Sequence, residues 1–385
     1  MSKSLTIVCP VFPPERGGLA DHTEKLSSIL SSHFEVTVLT SASWAGKSDS
    51  VVQPKIQRWG SVTQLTEALH RTKGPILWQY VPHLYGRGGV NLALPVVMQT
   101  MRSRGQIVLA HEIAAPYSLW PHRFWYAFAQ RLQWKRLIGA VDVVGISTER
   151  WLFGWNQKEK GLAEKSFLAP SPSNIFPTTL RDAGCAWRQR NGVAADVPVV
   201  GFFGTISAPK RFDWVVEAWR SIRVKFPNAI AAIVGDQPSG HFSAVEKAHV
   251  RMLGHQNEAQ VSAMLYAVDL LLLPFIDGVS ERRGSFMAGL AHGCPVLTTT
   301  GESTGPTLRN SDAFSVANQK GEFAEKARRL ISNSVERRET ALKGQKLYEE
   351  RYDWPVLKSN LETQLKKICQ LQSSPFEHLY LKRLK

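Results

Sequence analysis

The chain has 385 residues, 43% hydrophobic and 21% charged, which excludes a disordered or collagen-like polymer and suits a folded protein. That length exceeds what a single hydrophobic core serves, so two domains of about 150 to 200 residues each are expected. Lys and Arg number 47 against 32 acidic residues, a net charge of +15 that makes the partners anionic; nucleic acid, anionic lipid headgroups and nucleotide-linked sugars all meet that condition.

Taken in chain order, the apolar run Leu5 to Val11, a helical pattern from Ala20 to Leu30 and the run Val36 to Leu39 make a strand, helix, strand unit. Ile76 to Val81, Ile107 to Ala110 and Val141 to Ile146 repeat the strand signal, with helical segments such as Asn91 to Met101 between them. This alternation predicts a parallel, doubly wound domain over 1–175. The prolines at 170, 172 and 177 and the polar stretch through Asp196 predict a linker over 176–197. A second alternating series follows over 198–355: strand Val199 to Phe203, helix Phe212 to Val224, strand Ile230 to Val234, helix Glu258 to Ala267, strand Leu270 to Leu273, helix Ser285 to His292 and strand Val296 to Thr299. Residues 356–385 are expected to be a helix and tail. The predicted class is therefore α/β, with two facing Rossmann-like doubly wound domains and a cleft between them.

Cys9, Cys185, Cys294 and Cys369 are too scattered for a metal-binding pair or a disulfide framework, which fits reduced thiols in a cytoplasmic protein. The N-terminal apolar stretch is broken by Pro10, Pro13 and Pro14 and does not read as a signal peptide. No apolar run is long enough to span a bilayer, so a membrane role would be peripheral, on the cytoplasmic face.

In open α/β sheets ligands bind beyond the carboxyl ends of the strands, so chemistry is expected in the loops that follow strands. The segment Asp277 to Ser285 reads Asp-Gly-Val-Ser-Glu-Arg-Arg-Gly-Ser between an apolar strand and a small-residue helix. Unpaired backbone N–H groups at a helix start, together with the guanidinium forks of Arg282 and Arg283, make a diphosphate cradle that includes Gly284 and Ser285. Gly17 and Gly18 lie between the first strand and its helix, where a missing side chain lets backbone N–H groups approach a ligand. Lys210 and Arg211 stand at the start of the helix after Val199 to Phe203; cations there oppose the helix dipole, which an anionic ligand would explain. His111 and Glu112 follow the strand Ile107 to Ala110 and are the candidate catalytic pair, His111 to donate to a sugar hydroxyl or exchange a proton and Glu112 to hold it in one tautomer or bind hydroxyls itself.

These segments resemble glycosyltransferase family 4, retaining enzymes of the glycosyltransferase-B fold. The residues that carry the resemblance are Pro-Pro-Glu-Arg-Gly-Gly at 13–18, His111, Phe-Gly-Thr-Ile-Ser-Ala-Pro-Lys at 203–210, Val-Gly-Asp at 234–236, Arg-Met-Leu-Gly-His at 251–255 and Ala-His-Gly-Cys-Pro-Val at 291–296. By that resemblance Gly18 approaches the donor diphosphate, Lys210 binds its phosphates, His111 faces the transferred sugar, and Gly254 and His255 lie against the base. The chain departs from the family at Thr205, where an Arg is usual, and at Ser280 and Ala288, where two glutamates are usual. Glu281 is the expected substitute for the first glutamate, Arg282 and Arg283 for the missing Arg, and the Arg-Arg-Gly-Ser form marks a variant subgroup. Thr205, Asp277, Ser280 and Glu281 complete the candidate donor-binding set.

The resemblance implies a UDP- or GDP-linked sugar donor as substrate, no cofactor and no metal, and transfer to a glycan or lipid-linked acceptor in polysaccharide or cell-envelope glycan synthesis. No nucleic-acid motif accompanies the positive charge. Trp120 to Leu137 interleaves Trp120, Phe124, Trp125, Tyr126, Phe128 and Trp134 with Arg123, Arg131, Lys135 and Arg136, a composition suited to an anionic membrane interface or, equally, to a domain-packing helix. Two other functions fit the same pattern: a sugar-nucleotide epimerase or hydrolase, and a non-catalytic nucleotide- or glycan-binding protein. The absent glutamates favour the latter.

Overall fold

A computed structural model of the chain describes residues 3–15, 17–44, 55–177, 182–206, 210–235 and 240–373. Arg16, Ser207, Ala208, Pro209 and Asp236, which belong to the motifs above, lie outside the described residues, as do 178–181 of the expected linker and 374–385 of the expected tail. The chain forms two compact units, Met1–Pro170 with Leu357–Lys385, and Ser171–Val356.

The first unit holds a seven-stranded, wholly parallel sheet. Its strands are β1 (Lys3–Val8), β2 (Phe34–Ser41), β3 (Lys55–Trp59), β4 (Ile76–Tyr80), β5 (Gln106–Ala110), β6 (Val143–Ile146) and β7 (Ser166–Leu168), in the order β3-β2-β1-β4-β5-β6-β7. β4, β5 and β6 are buried at every position, because crossover helices cover both faces of a parallel sheet. That double burial is why their sequences are near-continuous apolar runs and not alternating ones. Edge strand β3 is mostly exposed. The helix Gly18–Leu30 turns Ala20, His22, Thr23, Leu26, Ser27 and Leu30 inward. From the C-terminal helix Trp354–Ser373, Leu357, Leu361, Leu365 and Ile368 are buried, and Glu362 meets His33 at 2.9 Å.

The second unit repeats the plan with six parallel strands: β8 (Val199–Gly204), β9 (Ile230–Gly235), β10 (Val250–Gly254), β11 (Leu270–Leu273), β12 (Val296–Thr298) and β13 (Ser315–Val316), ordered β10-β9-β8-β11-β12-β13. Two apolar cores lie against this sheet. One gathers Trp187, Met264, Phe286, Leu290 and Tyr348; the other gathers Phe212, Trp219, Ile222, Phe323 and Leu330. Residues Ala183–Arg190 form a helix whose Arg188 pairs with Asp269 at 2.7 Å, so this stretch is anchored in the second unit. In both sheets the strand order reverses beside the first strand of the unit, between β1 and β4 and between β8 and β11. Loops leaving neighbouring strands diverge to opposite faces at such a point and leave a crevice at the carboxyl ends.

Candidate functional site

At the switch point of the second unit, β8 ends on Gly204 with φ +122°, a conformation that favours glycine. A Cβ built there would fall 2.1 Å from Lys210 Nζ and 4.0 Å from the Ser285 Cβ. The ammonium of Lys210 thus lies over the end of β8, towards the start of the helix Gly284–Ala291. Backbone pairing fixes it there: Lys210 forms an antiparallel bridge with Phe275, and the Arg211 N–H donates to the Pro274 carbonyl at 3.1 Å. The loop after β8 is therefore tied to the loop after β11. Arg211 turns its guanidinium onto the ring of Trp214, 4.3 Å away, while Thr205 is exposed.

The helix Gly284–Ala291 has Arg283 as its N-cap, with no side-chain cap. Phe286 and Met287 donate to the Arg283 carbonyl at 2.9 and 3.0 Å, whereas the amides of Gly284 and Ser285 have no hydrogen bond among the described residues. Open amides, the Ser285 hydroxyl, the Lys210 ammonium and the positive end of the helix dipole together suit a phosphate dianion.

Arg283 has a different immediate environment. Its guanidinium pairs with Asp277 and lies over the Phe275 ring at 4.8 Å. Asp277 in turn accepts from the Ser303 hydroxyl at 2.7 Å, and its carbonyl accepts from the Ser303 N–H at 2.7 Å. Together these bonds tie the 277–283 loop to the loop after β12. Ser280 and Glu281 are wholly buried; the Ser280 carbonyl accepts from the Arg283 N–H at 3.0 Å, and the Glu281 carbonyl from the Ser171 N–H at 3.2 Å. The Ser280 hydroxyl has no hydrogen-bond partner among the described residues. Arg282 is half-buried.

Gly254 and exposed His255 stand at the end of β10, with β9 between that strand and β8. Gly204 pairs in register with Gly235, and a Cβ on Gly235 would fall 2.3 Å from the Gly204 carbonyl oxygen. Three adjacent strands thus end in positive-φ glycines, 204, 235 and 254, which leave bare backbone along this edge.

In the first unit the switch point lies beside Gly17, Gly18, His111 and Glu112. Gly17 has φ +153°; a Cβ there or at Gly18 meets no atom within 4 Å, so at Gly17 conformation and not crowding calls for glycine. Tyr80 pairs with Ala110, which brings the first residue past β5, His111, to the end of β4. The His111 N–H donates to the Tyr80 carbonyl at 3.0 Å, Glu112 follows at 3.4 Å to the same oxygen, and the Ser147 hydroxyl donates to the His111 carbonyl at 3.2 Å. Nε2 of His111 lies 2.5 Å from the side-chain amide of Gln79, and the ring meets His22 edge-on at 4.8 Å. Burial pushes the His111 pKa down to about 4; burial, then the neighbouring His111, pushes His22 down as well. Both rings are held in the neutral form at physiological pH, in which an imidazole offers one N–H and one lone pair.

Sequence reasoning missed Gln79, His22 and Ser303. The signal for Gln79 was present: it is one amide inside the apolar run Ile76 to Val81. The helix Pro121–Ala140 and its N-cap Trp120 separate by burial: Trp134 is enclosed and stacks on Tyr80 at 5.6 Å, while Trp120, Phe124, Trp125, Tyr126 and Phe128 are exposed. Arg131 spans the Tyr117 ring at 4.0 Å and donates to Ala115 and Ala127 carbonyls at 2.8 Å. Among the described residues no helix is long and apolar enough to cross a membrane, and no group of His, Cys, Asp and Glu suits a metal ion.

Residues 197–333 match the model of the family described as glycosyl transferases group 1. Among solved structures, WaaG, a glycosyltransferase involved in lipopolysaccharide biosynthesis, aligns at TM-score 0.67 and 16% identity over 92% of this chain and 98% of that one. Sucrose-phosphate synthase from Thermosynechococcus elongatus aligns at TM-score 0.70 and 12% identity over 96% and 100%. HepE of Anabaena, in complex with UDP and glucose, aligns at TM-score 0.69 and 14% identity over 95% and 100%. At these identities the likeness concerns the fold, which is that of the glycosyltransferase-B enzymes. No curated protein sequence gives a match.

Proposed function

We propose that the chain is a retaining, hexosyl-transferring glycosyltransferase that moves a sugar from a UDP- or GDP-linked donor to a glycan or lipid-linked acceptor in polysaccharide or cell-envelope glycan synthesis. The observation that carries this reading is the Lys210 ammonium set over Gly204, towards the open amides of Gly284 and Ser285, inside the segment that matches the glycosyl transferases group 1 family. A leaving diphosphate gains negative charge as the anomeric bond breaks. Fixed cations and amides that already face it lower the barrier without a dedicated acid. The complexes of HepE with UDP and with UDP-glucose support a uridine donor.

In this reading Lys210, Gly284 and Ser285 hold the phosphates, assisted by Arg282. Arg283 and Asp277 shape the loop, with Ser280 and Glu281 behind it, and Gly254 and His255 border the base. Gly17 and Gly18 belong to the donor-binding set, and His111 with Glu112 orients the transferred sugar. The exposed aromatic and basic face of the helix Pro121–Ala140 meets anionic lipid where the acceptor resides. In this reading the Arg-Arg-Gly-Ser loop marks a variant subgroup of family 4. Turnover of a donor panel with and without acceptor glycans tests the proposal. Sugar transfer supports it; donor breakdown or epimerisation without acceptor, or binding without turnover, overturns it.

A further inference from the structure

β4 is enclosed on both faces, yet its fourth residue is Gln79, wholly buried among Leu77, Trp78 and Tyr80. Burying an amide without compensation is costly, so an amide at this position needs a polar return. Its side chain makes one hydrogen bond among the described residues, to Nε2 of His111 at 2.5 Å. The strand register makes that contact, because Tyr80 opposite Ala110 brings His111 level with the end of β4. The backbone of Gln79 is held too: its carbonyl accepts from the Tyr85 hydroxyl at 2.9 Å.

Which way the amide donates follows from counting unmatched groups. With the oxygen turned to the imidazole, the NH2 group is buried with no partner. Turning the amide through a half-circle places an N–H on Nε2 and leaves only a carbonyl oxygen unmatched. Buried unmatched donors are rarer and more costly than under-satisfied acceptors. His22 meets the ring edge-on and is kept in its neutral form chiefly by burial, and Glu112 is next to His111 in sequence. A neutral imidazole in such surroundings has one proton to place, and the partner on one nitrogen decides where.

We propose that Gln79 is a positioning residue: its amide donates to Nε2 of His111 and holds the ring as the Nδ1–H tautomer, so that His111 meets its ligand as a hydrogen-bond donor and not as a base. The role given to that donor rests on the reading of His111 as the residue facing the transferred sugar. A donor N–H matches a sugar hydroxyl oxygen or an oxygen gaining negative charge, and cannot deprotonate an incoming acceptor.

The test is a long-range proton–nitrogen NMR correlation on full-length chain with 15N-labelled histidine, His111 assigned through His111→Phe. The expected wild-type pattern has Nδ1 protonated and Nε2 as the lone-pair nitrogen. In Gln79→Glu the carboxylate can only accept, so the proton moves to Nε2 and the pattern inverts. In sugar-transfer assays Gln79→Glu then lowers kcat by about tenfold with donor KM nearly unchanged, the loss of roughly one hydrogen bond made in the transition state. Protonation at Nε2 in the wild type overturns the proposal, and so does an unchanged pattern and turnover in Gln79→Glu. The wild-type spectrum decides the tautomer even if the variant fails to fold. It also decides it if no sugar is transferred, an outcome that counts against the functional reading alone.

Discussion

Replacing Gly204 by Ala separates two consequences of one contact. The residue has φ +122°, a region that costs an L side chain about 1–3 kcal/mol, and the new methyl would sit 2.1 Å from Lys210 Nζ. The ammonium ends a flexible chain and moves aside, so the stability loss is mainly the backbone strain. For about 1–3 kcal/mol in a unit of this size, calorimetry should record a melting temperature lower by about 2–12 °C. Displacing the ammonium removes a charge-assisted contact from the phosphate cradle, worth about 1.5–3 kcal/mol, or about 10- to 150-fold in the Kd for UDP or GDP. Lys210→Met should show the binding loss without the strain. Because both substitutions act through one ammonium, the double variant should bind no more weakly than Lys210→Met alone. Titration calorimetry at fixed ionic strength measures all four proteins. Wild-type affinity in Gly204→Ala, or binding losses that add in the double variant, would refute the cradle.

Arg283→Ala removes the Asp277 ion pair and the cover over Phe275; we expect about 1–3 kcal/mol lost from stability in urea unfolding, together with weaker UDP binding, and Arg283→Lys should not restore the planar guanidinium over the Phe275 ring. His22 and His111 have folded pKa values below the unfolded value of about 6.5, so the unfolded chain binds protons first as pH falls. Their contribution to stability is complete above about pH 6.5 and is lost towards pH 4, where the His111 pKa lies; urea midpoints against pH should flatten over that window in His22→Phe. Trp120→Ser with Trp125→Ser removes two of the most exposed aromatics, at 66% and 63%, and should abolish flotation with anionic vesicles at low salt. Wild-type protein that fails to float under those conditions would remove the lipid face from the account.

The central strands were legible because burial on both faces demands uninterrupted apolar residues, as in Ile76–Tyr80 and Leu270–Leu273. Edge strands β3, β7, β10 and β13 were not anticipated: β3 reads Lys-Ile-Gln-Arg-Trp, half in solvent, and lacks the periodic contrast that marks a strand. At the candidate site, strand-end glycines and the Lys210 position were visible as local patterns. The partners of His111 were not, because Gln79 lies 32 residues away in sequence and only the register of β4 on β5 joins them. The ion pair of Arg283 with Asp277 was hidden for the opposite reason. It lies within one loop, where charge alone does not tell a ligand-facing guanidinium from one that shapes the backbone.

A crystal structure of the chain with UDP or GDP bound tests the central claim most directly. The account predicts the distal phosphate within hydrogen-bond distance of the Gly284 and Ser285 amides and of the Lys210 ammonium. A diphosphate bound elsewhere, with the 282–285 segment making no contact to it, would contradict the account.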